Sequence, residues 1–218
     1  MNAPRLLGVV LAGGRSERMG RDKALLPWPL PDGRLGTFVE RAARALEPLC
    51  ETVEIAEGAP GRIPNIAWDR FPDAAPDQGP LAAIVAALDR AAELEADAIV
   101  ALACDMPLAG PDELRPLVEA AFPAEPGASP RPDAAMWVVD GRDQPLCALY
   151  RADCRAAARR AFEAGERRVV AMFEPTAAFG RRRGLVRLTA GEKSARRLVN
   201  VNTATDYDRA LRLAAQER

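Results

Sequence analysis

The densest chemistry in the chain lies in one stretch, Leu11-Ala12-Gly13-Gly14-Arg15-Ser16-Glu17-Arg18-Met19-Gly20-Arg21-Asp22-Lys23. Glycines that follow an apolar run let the backbone pass close to a phosphate, and their exposed amides can donate to its oxygens. Arg18 and Lys23 add fixed positive charge. The pattern is not a Walker loop, because G-x-x-x-x-G-K-S/T is absent, and not a dinucleotide fingerprint, because G-x-G-x-x-G is absent. A second chemical position is Asp105, which directly follows the apolar run Ala98–Ala103 and Cys104. A carboxylate there is displayed where Mg²⁺ could bridge it to a polyphosphate. Each feature also has a plainer reading, a charged surface loop for the first and a turn cap for Asp105.

What the chain lacks narrows the chemistry further. It has 218 residues and no histidine. That excludes Ser–His–Asp triads, Cys–His dyads and imidazole-bound zinc. Catalysis must rest on carboxylates, Lys, Arg, backbone amides or an oxygen-bound metal. With 30 Lys+Arg against 31 Asp+Glu, the formal charge of −1 gives no general attraction to nucleic acid or an anionic membrane. Cys50, Cys104, Cys147 and Cys154 form no C-x-x-C and sit among apolar neighbours, so they read as small buried hydrophobes. No run reaches the roughly 18 apolar residues of a membrane span, and no secretory pattern precedes Gly13, so a cytoplasmic location is expected.

The elements that must position these residues alternate. Leu6–Ala12 and Ala98–Ala103 read as buried parallel strands, and Thr52–Ala56 and Ile63–Trp68 as further strand candidates. Thr37-Phe38-Val39-Glu40 is a capping box for a helix to about Glu47, Gly79-Pro80 opens a helix to about Glu93, and Pro111 starts another. Ala134–Val139 and Leu146–Tyr150 read as strands, Asp153–Ala164 as a helix, Leu185–Leu188 as a short strand, and Thr203-Ala204-Thr205-Asp206 caps a final helix. Pro123–Asp133 reads as an exposed loop. This alternation predicts an α/β fold, a doubly wound, mostly parallel, Rossmann-like sheet in three layers, α/β/α. Ligands of such sheets bind beyond the carboxyl ends of the strands, so Gly13-Gly14 and Asp105 should face one crevice. At this length one domain over residues 1–218 is expected.

Taken together, the motifs resemble the nucleotidyltransferase superfamily. Leu11 to Pro27 follows its L-A-G-G-x-S-x-R-M-G-x-D-K-x-L-L-P opening, Gln78–Ile84 its G-P-L-A-G-I segment, and Cys104-Asp105-Met106-Pro107 its C-D-M-P segment. Later features narrow the resemblance to the molybdenum cofactor guanylyltransferases, a MobA-like group. Asp143–Tyr150 resembles P-x-x-A-L-Y/F, Gly165-Glu166-Arg167-Arg168-Val169 a G-x-R turn, and Val199–Thr203 the closing N-x-N-T. Departures are Ala83 for a family Gly, Ala204-Thr205-Asp206 for Pro-Glu-Asp, and the lack of an Asn at the end of the strand near Val53–Glu57.

The resemblance implies an Mg²⁺-assisted transfer of GMP from GTP to molybdenum-loaded molybdopterin. It places Leu11, Ala12, Gly13 and Gly14 at guanine and ribose, with Asp69, Gly79 and Pro80 also lining the nucleotide. Lys23 and Arg18 would serve the triphosphate, Asp105 the metal, and Arg167, Arg168, Asn200 and Asn202 the acceptor. Residues 1–110 would hold the nucleotide and 111–218 the acceptor, and a molybdenum-insertion protein or molybdoenzyme chaperone would be a partner. Cytidylyl transfer to the same pterin, nucleotidyl transfer to a sugar phosphate, and a non-catalytic binding module remain open alternatives. Arg181-Arg182-Arg183 reads as a solvated basic run, and Trp28, Trp68, Trp137, Phe71 and Phe122 as packing residues.

Overall fold

The computed structural model describes residues 3–14, 22–64, 66–123, 131–174 and 184–216. Its centre is a seven-stranded sheet. In chain order the elements are β1 (Leu6–Leu11), the hairpin β2 (Pro27–Pro29) and β3 (Leu35–Thr37), α1 (Phe38–Leu46), β4 (Thr52–Ala56), β5 (Asp69–Phe71), α2 (Pro80–Glu93), β6 (Ala98–Ala103), α3 (Pro111–Ala121), β7 (Ala134–Val139), β8 (Arg142–Arg151), α4 (Arg155–Glu163), β9 (Leu185–Thr189), α5 (Glu192–Arg197) and α6 (Ala204–Gln216). The strand order is β5-β4-β1-β6-β8-β7-β9. Every pairing in it is parallel except those of β8 with β6 and β7.

The period-2 pattern of β1 explains the three layers. Leu6 and Val10 face one core with α1, α3 and α6, while Leu7, Val9 and Leu11 face a second core with α2 and α4. A strand apolar on both faces can only be a central strand covered on both sides. The chain runs outward from β1 to β4 and β5, then crosses back through α2 to β6 on the other side of β1. That reversal opens a crevice at the carboxyl ends of β1 and β6.

The expected helices starting at Phe38, Pro80, Pro111 and Ala204 are present. Ile63–Trp68 does not form the expected strand; β5 starts later, at Asp69. The reason is local. The Glu57 carboxylate takes the Ile63 amide at 3.3 Å, and Pro64 has no amide to give a ladder. β8 begins earlier than expected because Asp140-Gly141, with φ of 49° and 73°, makes the tight turn that closes a two-residue hairpin. The register then jumps from Trp137↔Gln144 to Met136↔Ala148, and this bulge carries Pro145 and Leu146. Trp28 and Trp137 are buried, and Cys104, Cys147 and Cys154 are buried free thiols. The loop expected at Pro123–Asp133 falls largely, and Arg181-Arg182-Arg183 wholly, outside the described residues.

Candidate active site

β1 and β6 end side by side, with Leu11 paired to Ala103. Past those ends lies a cleft of about 350 Å³ whose walls include Leu11, Ala12, Gly13, Gly14, Lys23, Gly79, Pro80 and Asp105. Sequence positions that are far apart thus meet at one place. Bulged Leu146 closes the cleft from β8, and Ala83 of α2 lines it where the family pattern has Gly.

Lys23 is held by local structure. Asp22 caps a single 3-10 turn, Lys23–Leu25, by accepting from the Ala24 amide at 3.1 Å. The Lys23 ammonium donates to Asn202 Oδ1 at 2.6 Å and lies 3.6 Å from Asp105 Oδ2. Asn202 is fixed by the start of α6, where Asp206 Oδ2 accepts from the Asn202 and Thr203 amides at 3.0 and 2.8 Å, completing the expected cap with Asp206. The Val201 amide donates to the Asp105 carbonyl at 2.8 Å, which ties the closing segment to the end of β6. Burial pushes the Asp105 carboxyl above its ordinary range, and the Lys23 ammonium opposes that rise. The pair is three-quarters or more buried, so its attraction is weakly screened.

The other wall comes from the segment after β4. Glu57 is buried and accepts from the Gly61 and Ile63 amides, which fixes Arg62 between them. Arg62 donates to the carbonyls of Ala12 and Gly14 and to Asp22 Oδ1, the latter two at 2.8 Å. Asp73 lies against the glycine turn, so close that a Cβ on Gly13 would stand 2.7 Å from its Oδ2. Its Oδ1 is buried without a hydrogen-bond partner among the described residues, and burial pushes its pKa up to about 6. Asp77 also lines the cleft.

The expected site residues divide accordingly. Leu11, Ala12, Gly13, Gly14, Lys23, Gly79, Pro80 and Asp105 share the cleft, and Asn202 touches Lys23. Asn200 lines another cavity, of about 560 Å³, with Arg142, Gln144, Val201 and Arg209. Asp69 is exposed in β5, two residues before its carboxyl end, and is not among the cleft-lining residues; Asp73 occupies that place. Arg167 lies beside Gly79, at the start of α2. Its Nε donates to Gln78 at 3.1 Å, its Nη1 to the Phe162 and Glu166 carbonyls, and its guanidinium sits 4.7 Å over the Phe162 ring. Its own carbonyl accepts from the Leu81 amide, closing α4 onto the start of α2. Arg168 is exposed and lies 3.7 Å from Glu166 and 3.4 Å from Glu174. Arg18 lies outside the described residues.

Sequence reasoning missed Arg62 and chose Asp69 over the nearby Asp73 and Asp77. The signal for Arg62 was the acidic Glu57 at the end of β4, an unusual residue to bury without a task. The signal for Asp73 was its place in an acidic loop just ahead of Gly79-Pro80.

Among the described residues no three acidic or thiol groups converge to hold a metal unaided. The described charges on the cleft wall are Lys23 and Arg62 against Asp73, Asp77 and Asp105. A polyphosphate entering this balance needs a further cation. A divalent ion held by one carboxylate, with phosphates and water as its other ligands, fits the site.

The MobA-like NTP transferase domain matches residues 8–200. The chain belongs to the MobA-like NTP transferase family. Among relatives of this family member, a probable molybdenum cofactor guanylyltransferase of Mycobacterium avium is 35% identical over 215 residues, covering 98% of this chain and 97% of that one. One from Chloroflexus aggregans is 32% identical over 204 residues, covering 91% and 90%. The transferase fold is shared with the crystal structure of molybdopterin-guanine dinucleotide biosynthesis protein A from Archaeoglobus fulgidus, at TM-score 0.70 and 21% identity over 97% of this chain and 99% of that one. Among the described residues no helix is long and apolar enough to cross a membrane.

Proposed function

We propose that this protein transfers GMP from GTP to molybdenum-bearing molybdopterin, releasing pyrophosphate and forming the guanine dinucleotide cofactor. The observation that carries the reading is the contact of Lys23 with Asn202 and Asp105 at the mouth of the Leu11–Gly14 turn. One cation there joins the nucleotide wall to the segment that closes the chain.

The chemistry needs no histidine. The acceptor is a phosphate monoester, mostly ionised at neutral pH because its second pKa is about 6. Its oxygen attacks the α-phosphorus of GTP in line, a new P–O bond forms, and the bond to the bridging oxygen of the β-phosphate breaks. The electron pair leaves with pyrophosphate, so no protein nucleophile and no strong base take part. The chain's work is positioning and charge neutralisation. The glycine turn gives the nucleotide a close backbone approach. Asp73, with its unpartnered oxygen, accepts from donors of the nucleoside. Lys23 neutralises charge on the phosphates, and Asn202 holds the ammonium in place. Asp105 would hold Mg²⁺, which supplies charge neutralisation at the phosphates when bound.

The lining of the two cavities supports a division of labour within one domain. The nucleotide occupies the cleft built mainly from residues 1–110, and the acceptor extends toward the cavity of Asn200, built from residues 139–210. The reaction belongs in the cytoplasm, with a molybdenum-insertion protein or molybdoenzyme chaperone delivering or collecting the pterin. The test is Asp105→Asn. It should fold normally and release pyrophosphate from GTP and acceptor at a small fraction of the wild-type rate. Wild-type turnover would remove Asp105 from the reaction.

A further inference from the structure

The carboxyl end of β1 poses an electrostatic problem for a triphosphate site. The Ala12 and Gly14 carbonyls present negative dipole ends at the wall where a polyanion must lie. Arg62 answers it, because its guanidinium donates to both carbonyls and to Asp22 Oδ1 at once. Its side chain is only 21% exposed, and it lines the cleft. Its own backbone is set by Glu57, whose carboxylate accepts from the amides on either side, at Gly61 and Ile63. The three residues Arg62 grips have different tasks. Ala12 and Gly14 line the cleft, and Asp22 caps the single turn that carries Lys23. A planar guanidinium with five donors can span three acceptors in this way, whereas an ammonium cannot in the same geometry.

We propose that Arg62, held by Glu57, is a positioning residue of the nucleotide site, clamping Gly14 to Asp22 so that the glycine turn and the Lys23 ammonium keep one fixed relation. This rests on the reading of the cleft as a GTP site. Arg62 covers the carbonyls with positive charge and orders the phosphate-side lysine before the nucleotide arrives, which lowers the ordering cost of binding.

The test is calorimetric GTP binding to the full chain, which reads affinity without any transfer step. Arg62→Ala should weaken GTP binding about tenfold or more, in line with the loss of charge-assisted contacts. Millimolar guanidinium chloride should recover part of that loss, and sodium chloride at equal concentration should recover none. Arg62→Lys should stand between the two. A merely structural arginine would not give rescue specific to guanidinium. If Arg62→Ala does not fold, Arg62→Lys carries the test, with an affinity at least about threefold weaker expected. Affinity within twofold of wild type in the folded variant, or equal effects of the two salts, overturns the proposal. A wild-type protein that binds no GTP overturns the nucleotide reading itself, whereas wild-type binding with an unchanged variant overturns only the role of Arg62.

Discussion

Gly13 and Gly14 are adjacent in sequence, yet the structure assigns them opposite sensitivities. A Cβ added to Gly13 would stand 2.7 Å from Asp73 Oδ2 and 3.0 Å from the Gly58 backbone Cα. The carboxylate can turn away, but the backbone of Gly58 cannot, so Gly13→Ala overpacks the wall. Overpacking of this kind costs about 1–3 kcal/mol. For a chain of this length that lowers Tm by about 2–12 °C. At Gly14 nothing among the described residues lies within 4 Å of the added Cβ. Gly14→Ala should therefore leave Tm within about 1 °C, as surface changes generally do. Gly14 lines the cleft, so on the proposed reading of that cleft as the GTP site the added methyl should lower GTP affinity about tenfold or more. Thermal unfolding without ligand and calorimetric titration with GTP, run on both variants, separate the two effects. The reasoning is refuted if Gly14→Ala binds GTP like wild type, or if Gly13→Ala melts at the wild-type temperature.

Two further outcomes follow from the cleft's charges. Burial raises the Asp73 carboxyl from 3.8 to about 6, so its ionised form opposes folding as pH rises through 6. Asp73→Asn should then stabilise the nucleotide-free protein at pH 7.5 by up to about 1 kcal/mol after solvent screening of a partly exposed group, which raises Tm by up to about 4 °C. The gain should vanish near pH 3.5, where both side chains are neutral, and GTP affinity should fall at pH 7.5; a variant less stable at both pH values contradicts this. Lys23→Ala should weaken GTP binding by about 10- to 100-fold, matching the roughly 1.5–3 kcal/mol of a hydrogen bond to a charged group, and unchanged affinity in titration would remove Lys23 from the phosphates.

The parts of this account that were legible in the sequence rest on local pattern. β1 and β6 are unbroken apolar runs that only a central parallel strand explains, and the Thr37, Pro80, Pro111 and Asp206 signals fixed helix starts. Asp105 stands out because it follows the end of such a strand, and Lys23 because it closes the glycine-rich, charged stretch after β1. What escaped depended on contacts across the fold. Arg62 reaches Gly14 across 48 residues, and nothing near it in sequence announces that reach. Asp69, Asp73 and Asp77 crowd one stretch of sequence, and only the fold separates them, with Asp69 in β5 and Asp73 and Asp77 on the cleft wall. Arg167 shows only its charge in the sequence; that its Nε meets Gln78 and its Nη1 the Phe162 and Glu166 carbonyls depends on how the segment after α4 meets the start of α2.

The most direct measurement mixes purified protein with Mg²⁺, molybdenum-loaded molybdopterin and each of GTP, CTP, ATP and UTP in turn, then separates pterin dinucleotide and pyrophosphate by chromatography. Equal amounts of both products with GTP, and little with the others, is the predicted result. Product mainly with CTP would contradict the assignment of guanine while keeping the chemistry. No product with any nucleotide, despite tight GTP binding, would contradict the transfer to this acceptor.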